Sequence, residues 1–431
     1  MGLLLGGACA RAGGDVEGAG AGVDLPLDGG AGRGGSAGAS GSGGRQYANM
    51  APPLGAALPT GPVDRWQWHE EPGARCRDGS PAGFWFKRSA VSQDLFFFLE
   101  GGGACFTPEL CRSFNAANVR ERMHGEVFSV APENPLALRK EITSSPVQPF
   151  SRGIFDTSNA ENPVRDWNMV FVPYCTGDAH IGTRPDAVVP GDEPGRVQQF
   201  VGYSNMQKFV ARVVPTFASA GQVLLAGSSA GGYGAGVSFN QVQDAFLKVG
   251  SARVTVLMDS AVIYGDEFLA PCFQRKWREL WGLDGALPSR ADCPECHPED
   301  GGGLLEMIFF GGRKHPSSQI GIITATHDSV TRSFFSMGEN LCMEPFPLFV
   351  PEEKLESALD DLRFQVKTSE GGSAFCTYFI ESGNEPLWNT PHDQLHQWLP
   401  FDRFYVKLAS STTPAVWVKR LLAGEPTSVG P

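Results

Sequence analysis

The sequence predicts an α/β fold with a mainly parallel central sheet flanked by helices. Three observations predict it: short continuous apolar runs recur along the chain, longer helix-like segments alternate with them, and nothing repeats at a fixed period. Continuous runs mark strands covered on both faces, because a strand with one wet face alternates apolar and polar residues. Such strands, alternating with helices over this length, argue for one domain built around a parallel sheet.

From Pro62 the elements come in order. Leu95-Phe-Phe-Phe-Leu99, Met169-Val-Phe-Val172, Val223-Leu-Leu-Ala226, Val254-Thr-Val-Leu-Met258, Ile320-Gly-Ile-Ile323 and Phe375-Cys-Thr-Tyr-Phe-Ile380 read as buried strands. Met206 to Phe217 sets Phe209, Val210, Val213 and Val214 along one face of a helix. Gly231 to Val249 and Glu353 to Val366 are further helices, and Val416 to Leu422 is the last, ended by Gly424. The folded domain is thus expected over residues 62–425. Ahead of it, Gly13 to Gly44 is almost all Gly, Ala and Ser with a few acids. Such a stretch buries too little apolar surface to offset its ordering entropy, so residues 10–61 read as a disordered tether. Residues 1–9, Met-Gly-Leu-Leu-Leu-Gly-Gly-Ala-Cys9, resemble the truncated tail of a lipoprotein signal, with Cys9 as the candidate lipidated residue and the only expected link to a membrane.

Composition narrows the function. The 431 residues are 42% hydrophobic and carry 35 basic against 47 acidic side chains, a net charge of −12. That balance argues against a nucleic-acid partner bound by phosphate neutralisation. No apolar run reaches the ~18 residues of a membrane-spanning helix. Ten cysteines with two close pairs, Cys105/Cys111 and Cys293/Cys296, point to an exported, disulfide-bearing protein. Cys105–Cys111 is the expected bridge, and Cys175, at the end of an apolar strand, is the expected odd thiol. Cys293-Pro-Glu-Cys-His297 also fits haem attachment, or a zinc knuckle with Cys272, but its polar, proline-rich surroundings favour a disulfide-stapled loop.

The sharpest chemical signal is Gly227-Ser-Ser-Ala-Gly231, which follows the strand Val223–Ala226 and opens a helix. A nucleophile elbow needs this arrangement: the strand-to-helix turn is so tight that only small residues fit two positions either side of Ser229. A tightly packed glycine turn is the bland alternative, and the flanking strand and helix argue against it. The second signal is Glu100-Gly-Gly-Gly-Ala104 after the strand Leu95–Leu99. A glycine run there lets backbone N–H groups turn toward the serine and stabilise an oxyanion. Together these features specify an α/β-hydrolase-like domain, in which an acid and a histidine follow in chain order. Asp259 and Asp328 both stand just past strands, as do His392 and His396, and the residue types leave both choices open. His69 and His315 read as surface residues, while His180 sits near the same sheet edge.

Leu99-Glu-Gly-Gly-Gly-Ala-Cys105, Val172-Pro-Tyr-Cys-Thr-Gly-Asp178, His180-Ile-Gly182 and Gly227-Ser-Ser-Ala-Gly-Gly232 resemble the pectin acetylesterase family, which includes the Notum-like carboxylesterases. The resemblance covers Cys76 to Leu422 and is nearest to bacterial members. It implies an acid at a helix start past an apolar strand, matching Thr326-His-Asp-Ser-Val330, and so favours Asp328. It implies a histidine before an aromatic-rich Arg-Phe-Tyr stretch, matching His396 to Tyr405, and so favours His396. Glu385 to Asp393 departs from the pattern as an insertion, and Gln397 stands where a small hydroxyl residue is common. The expected site is then Ser229 as nucleophile, His396 as base and Asp328 as its orienter. Gly102, Gly103 and Ala230 supply oxyanion donors, and no metal or cofactor is required. The expected substrate is a short-chain acyl ester, acetyl above all, on a carbohydrate; Phe106, Trp388 and Trp398, near the expected mouth, read as sugar-stacking or acyl-pocket residues or equally as core. The alternative is a hydrolase-fold binding module for polysaccharide or lipid that has lost turnover.

Overall fold

The computed structural model describes residues 46–113, 126–131, 134–142, 151–343, 347, 349–380, 396–407, 412–425 and 428–430. Cys9, Trp388 and His392 lie outside the described residues.

Along the chain run β1 (Gln67–Arg75), β2 (Pro81–Lys87), β3 (Leu95–Leu99), α1 (Pro108–Ser113), β4 (Glu126–Ala131), β5 (Asn134–Ile142), β6 (Asn168–Val172), β7 (Arg184–Ala187) and β8 (Gln198–Phe200). Then follow α2 (Gly202–Thr216), β9 (Gln222–Ser228), α3 (Ala230–Val249), β10 (Arg253–Asp259), α4 (Pro271–Trp281), α5 (Leu304–Lys314) and β11 (Gln319–Ala325). The last elements are α6 (Ser329–Phe335), α7 (Glu352–Thr368), β12 (Phe375–Ile380) and α8 (Pro414–Ala423). Among the described residues one sheet has eight strands in the order β1-β2-β6-β3-β9-β10-β11-β12. β1, β2 and β6 pair antiparallel, and every pair from β6 to β12 is parallel. β4–β5 and β7–β8 are separate antiparallel pairs.

The continuous apolar runs are explained by burial on both faces. In β3, Leu95, Phe97 and Leu99 point into one core, while Phe96 and Phe98 point into the other. The larger core holds Phe209, Val210, Val213 and Val214 of α2 together with Val237, Val242 and Phe246 of α3. The smaller one holds Trp417, Val418 and Leu421 of α8 with Trp398, Leu399 and Phe404. Truncating one of these phenylalanines costs about 3–5 kcal/mol. α8 also follows local rules at both ends: Thr413 accepts a hydrogen bond from Val416 N, Pro414 takes the first turn, and Gly424 closes it at φ +74.

Three expectations are corrected. The tether does not extend to residue 61, because residues 46–61 pack along the domain. Leu58 is buried, Tyr47 meets Phe310 edge-on at 4.9 Å, and Met50 N and Gly55 N donate to Asp244 and to the Ala211 carbonyl. The glycine-rich composition ends before these apolar anchors, and residues 10–45 of the expected tether lie outside the described residues. Cys175 is bonded to Cys76, alongside Cys105–Cys111, Cys272–Cys342 and Cys293–Cys296. No cysteine among the described residues is free, the pattern of a protein exported to an oxidising compartment. His315 is buried, with Nε2 3.5 Å from Asp244, and burial pushes its imidazole down to about 4. Among the described residues, no helix is long and apolar enough to cross a membrane.

Candidate active site

The C-terminal ends of β3, β9, β10 and β11 lie side by side, with Leu99 paired to Gly227, Asp259 to Ser228 and to Ile323. Ser229 follows β9 at φ +55 and ψ −127, an uncommon conformation for a residue with a Cβ. Its N–H donates to the Asp259 carbonyl at 2.7 Å, and its own carbonyl accepts from Gly232 N at the start of α3. The flanking glycines are required by space. A Cβ on Gly227 would stand 2.1 Å from the Gly231 carbonyl oxygen, and one on Gly231 would stand 2.0 Å from that of Leu99.

Across the edge, His396 Nδ1 pairs with Asp328 Oδ2 at 2.7 Å. Asp328 is wholly buried and caps α6, its Oδ1 accepting from Thr331 N at 3.0 Å. His396 Nε2 has no hydrogen-bond partner among the described residues. Ser229 and His396 line the same pocket, together with Gly103, Ala230 and Ser260. Most of its other walls are apolar: Phe106, Ile181, Trp277, Trp281, Val330, Phe334 and Phe335 line it, with Tyr233 and Thr331 among them. Burial in this wall holds the phenol of Tyr233 well above its usual range.

The glycine run lies on the same side. Gly103 takes φ +78, and a side chain on Gly101 would meet the Ser228 carbonyl at 2.3 Å. Tyr174 Oη donates to the Gly103 carbonyl at 2.9 Å, and Ala179 N donates to the same phenol at 2.8 Å. His180 Nε2 contacts the Glu100 carbonyl at 2.8 Å, so this histidine backs the glycine loop rather than the pocket. Cys105 N donates to Gly177 O, and Trp281 Nε1 donates to Cys105 O. The N–H groups of Gly102, Gly103 and Ala230 donate no hydrogen bond among the described residues.

The structure brings Ser229, His396, Gly103 and Ala230 to one pocket, with Asp328 behind it on the His396 ring and Gly102 one residue before the pocket wall. It separates Asp259, whose carboxylate is bonded away from His396. Phe106 lines the pocket, whereas Trp398 is fully buried in the smaller core, so of the two places open to these aromatics each takes a different one. The sequence reading passed over Trp277 and Trp281, because two tryptophans four apart on a helix carry the same signal as an ordinary core stripe.

Comparisons with known proteins bear on the family and the fold. The family model described as Pectinacetylesterase matches residues 66–280. A mouse protein named palmitoleoyl-protein carboxylesterase NOTUM is 30% identical over 237 residues, 52% of this chain and 38% of that protein. The chain therefore spans about two-fifths of that relative's length. A zebrafish protein named inactive palmitoleoyl-protein carboxylesterase notum1b is 33% identical over 115 residues, 26% of this chain and 67% of that protein. The solved structure of the Drosophila Wnt deacylase Notum superposes with a TM-score of 0.54 at 20% identity, covering 83% of this chain and 93% of that one. The superposition establishes the α/β-hydrolase-like fold. By family model and relatives together, the chain belongs to the pectin acetylesterase family, with the Notum-like proteins among its kin.

Proposed function

We propose that this protein is a serine carboxylesterase. The reading is supported above all by one observation: His396 gives one ring nitrogen to a buried carboxylate and keeps the other without a partner in the pocket that Ser229 lines. In this scheme Ser229 attacks the ester carbonyl and His396 Nε2 takes the hydroxyl proton. Asp328 holds the Nδ1–H tautomer and stabilises the imidazolium that forms. The carbonyl oxygen becomes an oxyanion facing the N–H groups of Ala230, Gly102 and Gly103, where losing one donor costs roughly 3–4 kcal/mol of barrier. As the intermediate collapses, the alcohol leaves with the proton from His396. Water, deprotonated by the same nitrogen, then releases the acid and restores Ser229. No metal or organic cofactor enters these steps.

The apolar walls carry the acyl assignment further than the sequence did. An acetyl group offers one methyl to a pocket lined by Phe106, Trp277, Trp281 and Phe334, leaving most of that surface uncovered. Each further buried methylene contributes about 0.8 kcal/mol, so we assign the pocket to an acyl chain longer than acetyl. A sugar hydroxyl remains the expected alcohol, as the family's description implies, and an acylated protein is the substrate class named for the mouse relative.

A second reading is a binding module without turnover, because a relative 33% identical is named inactive. A panel of p-nitrophenyl esters of rising chain length, run on wild type and Ser229→Ala, decides between them. The esterase reading expects turnover that rises beyond acetate and falls by about five to six orders of magnitude in Ser229→Ala. Absence of Ser229-dependent turnover with every ester and with acetylated polysaccharide favours the binding module.

A further inference from the structure

Asp259 ends β10 with a carboxylate that is entirely buried. Its Oδ2 accepts from Ser228 Oγ at 2.6 Å, Trp398 N at 2.8 Å and Leu399 N at 2.9 Å. Its Oδ1 accepts from Ser260 Oγ at 3.1 Å and Trp398 N at 3.0 Å. The neighbouring Ser260 is held at φ +52, and its Oγ accepts from Gln397 N at 2.9 Å. The N–H groups of three consecutive residues after His396 are thus captured by Asp259, the last residue of β10, and by Ser260 just after it. On the other side, Arg403 Nη2 donates to the His396 carbonyl at 2.6 Å. The same Asp259 bonds Ser229 N through its carbonyl and Ser228 through its side chain. One residue therefore fixes the backbone on both sides of the gap between serine and histidine.

An ionised carboxylate suits this place because it only accepts, and every neighbour it touches donates. Asparagine keeps the shape but turns an NH₂ toward at least one of those donors. The imidazole's rotamer alone does not set its reach to Ser229, since among the described residues 396–401 belong to no strand and the sheet does not fix the backbone that carries it.

We propose that Asp259, with Ser260, is a positioning residue that seats Gln397–Leu399 so that the His396 ring stays between Asp328 and Ser229. The proposal rests on the reading of Ser229 and His396 as the catalytic pair. Burial and the bonds of this group oppose each other: burial raises the Asp259 carboxyl, whereas Ser228, the Leu399 and Trp398 amides and the charge of His396 lower it.

The test uses Asp259→Asn and Ser260→Ala in the full chain, with steady-state kinetics on the best p-nitrophenyl ester and the downfield proton signal of His396 Nδ1–H. A displacement near 1 Å at a reacting group costs about 100-fold in rate. Asp259→Asn is therefore expected to lower kcat roughly 100-fold, to leave KM within about threefold and to shift or broaden the Nδ1–H signal. Added to His396→Ala, it should lower the residual turnover less than about threefold, because residues acting as a unit are not additive. A folded Asp259→Asn with wild-type kcat and an unmoved signal overturns the proposal, as does a full loss on the His396→Ala background. Should Asp259→Asn not fold, Ser260→Ala removes one hydroxyl and decides alone: a kcat loss near 10-fold with a shifted signal supports the proposal, and unchanged values overturn it. Full turnover in Ser229→Ala marks the separate failure of the esterase reading.

Discussion

The glycine-loop side and the histidine side of the candidate site are held by different means. Residues 100–105 are fixed by two disulfides and by side chains that reach their carbonyls from loops and from the end of α4. The Cys105–Cys111 bridge closes just behind them, the Cys76–Cys175 bridge ties the adjoining turn, and Tyr174, His180 and Trp281 bind carbonyls of Gly103, Glu100 and Cys105. His396 has no covalent tie. Asp328 pairs with its ring, Arg403 with its carbonyl, and Asp259 and Ser260 with the three residues after it, through contacts separated by up to 140 residues. The first arrangement makes a rigid frame of N–H groups, which suits a group that must already point at a developing charge. The second leaves its geometry to a few buried polar contacts, so single substitutions there act on turnover before they act on the fold.

That contrast predicts where stability resides. Replacing Cys76 and Cys175 with serine opens a 99-residue link and should cost about 4–5 kcal/mol in chemical denaturation, the loop-entropy figure for that length. A loss below that of the short bridge would break the comparison. Next comes Asp178, which accepts from Thr176 Oγ, His180 N and Gly202 N beneath the glycine loop. Burial, opposed by those bonds, pushes its carboxyl up to about 6. With the folded value above the unfolded one, the native state binds the extra proton between about pH 4 and 6. Stability from this group is therefore full below pH 4 and declines as pH rises through 6. Against a flat Asp178→Asn reference, wild type should lose up to ~3 kcal/mol across that window; a gain with rising pH would contradict the assignment. The smallest effect belongs to Cys105–Cys111, whose six-residue link is worth about 2 kcal/mol, with the loss expected in kcat as well as in denaturation midpoint.

How much was legible in the sequence follows the same division. The strand runs, the Ser229 turn and the glycine loop depend on local spacing, and each element lies within a few residues of its expected limits. Strand β1 and helix α4 went unread, because their apolar residues are interrupted by charge. Asp259 and Asp328 were indistinguishable by pattern, since both follow a buried strand. What separates them is the partner each finds across the sheet edge, Trp398 and Leu399 for one and the His396 ring for the other. Likewise Trp277 and Trp281 became pocket wall only when α4 was laid beside Phe106, at 6.2 Å from Trp281.

The pairing of His396 with Asp328 is the centre of the account, and a double-mutant cycle in turnover tests it most directly. Asp328→Asn alone should lower kcat by about 10⁴-fold, by withdrawing the tautomer control that the carboxylate exerts. Added to His396→Ala it should change turnover by less than about threefold, whereas added to His392→Ala it should exert its full effect. If Asp328→Asn instead does its full damage on the His396→Ala background and none on the His392→Ala background, the base is His392 and the proposed site is wrong.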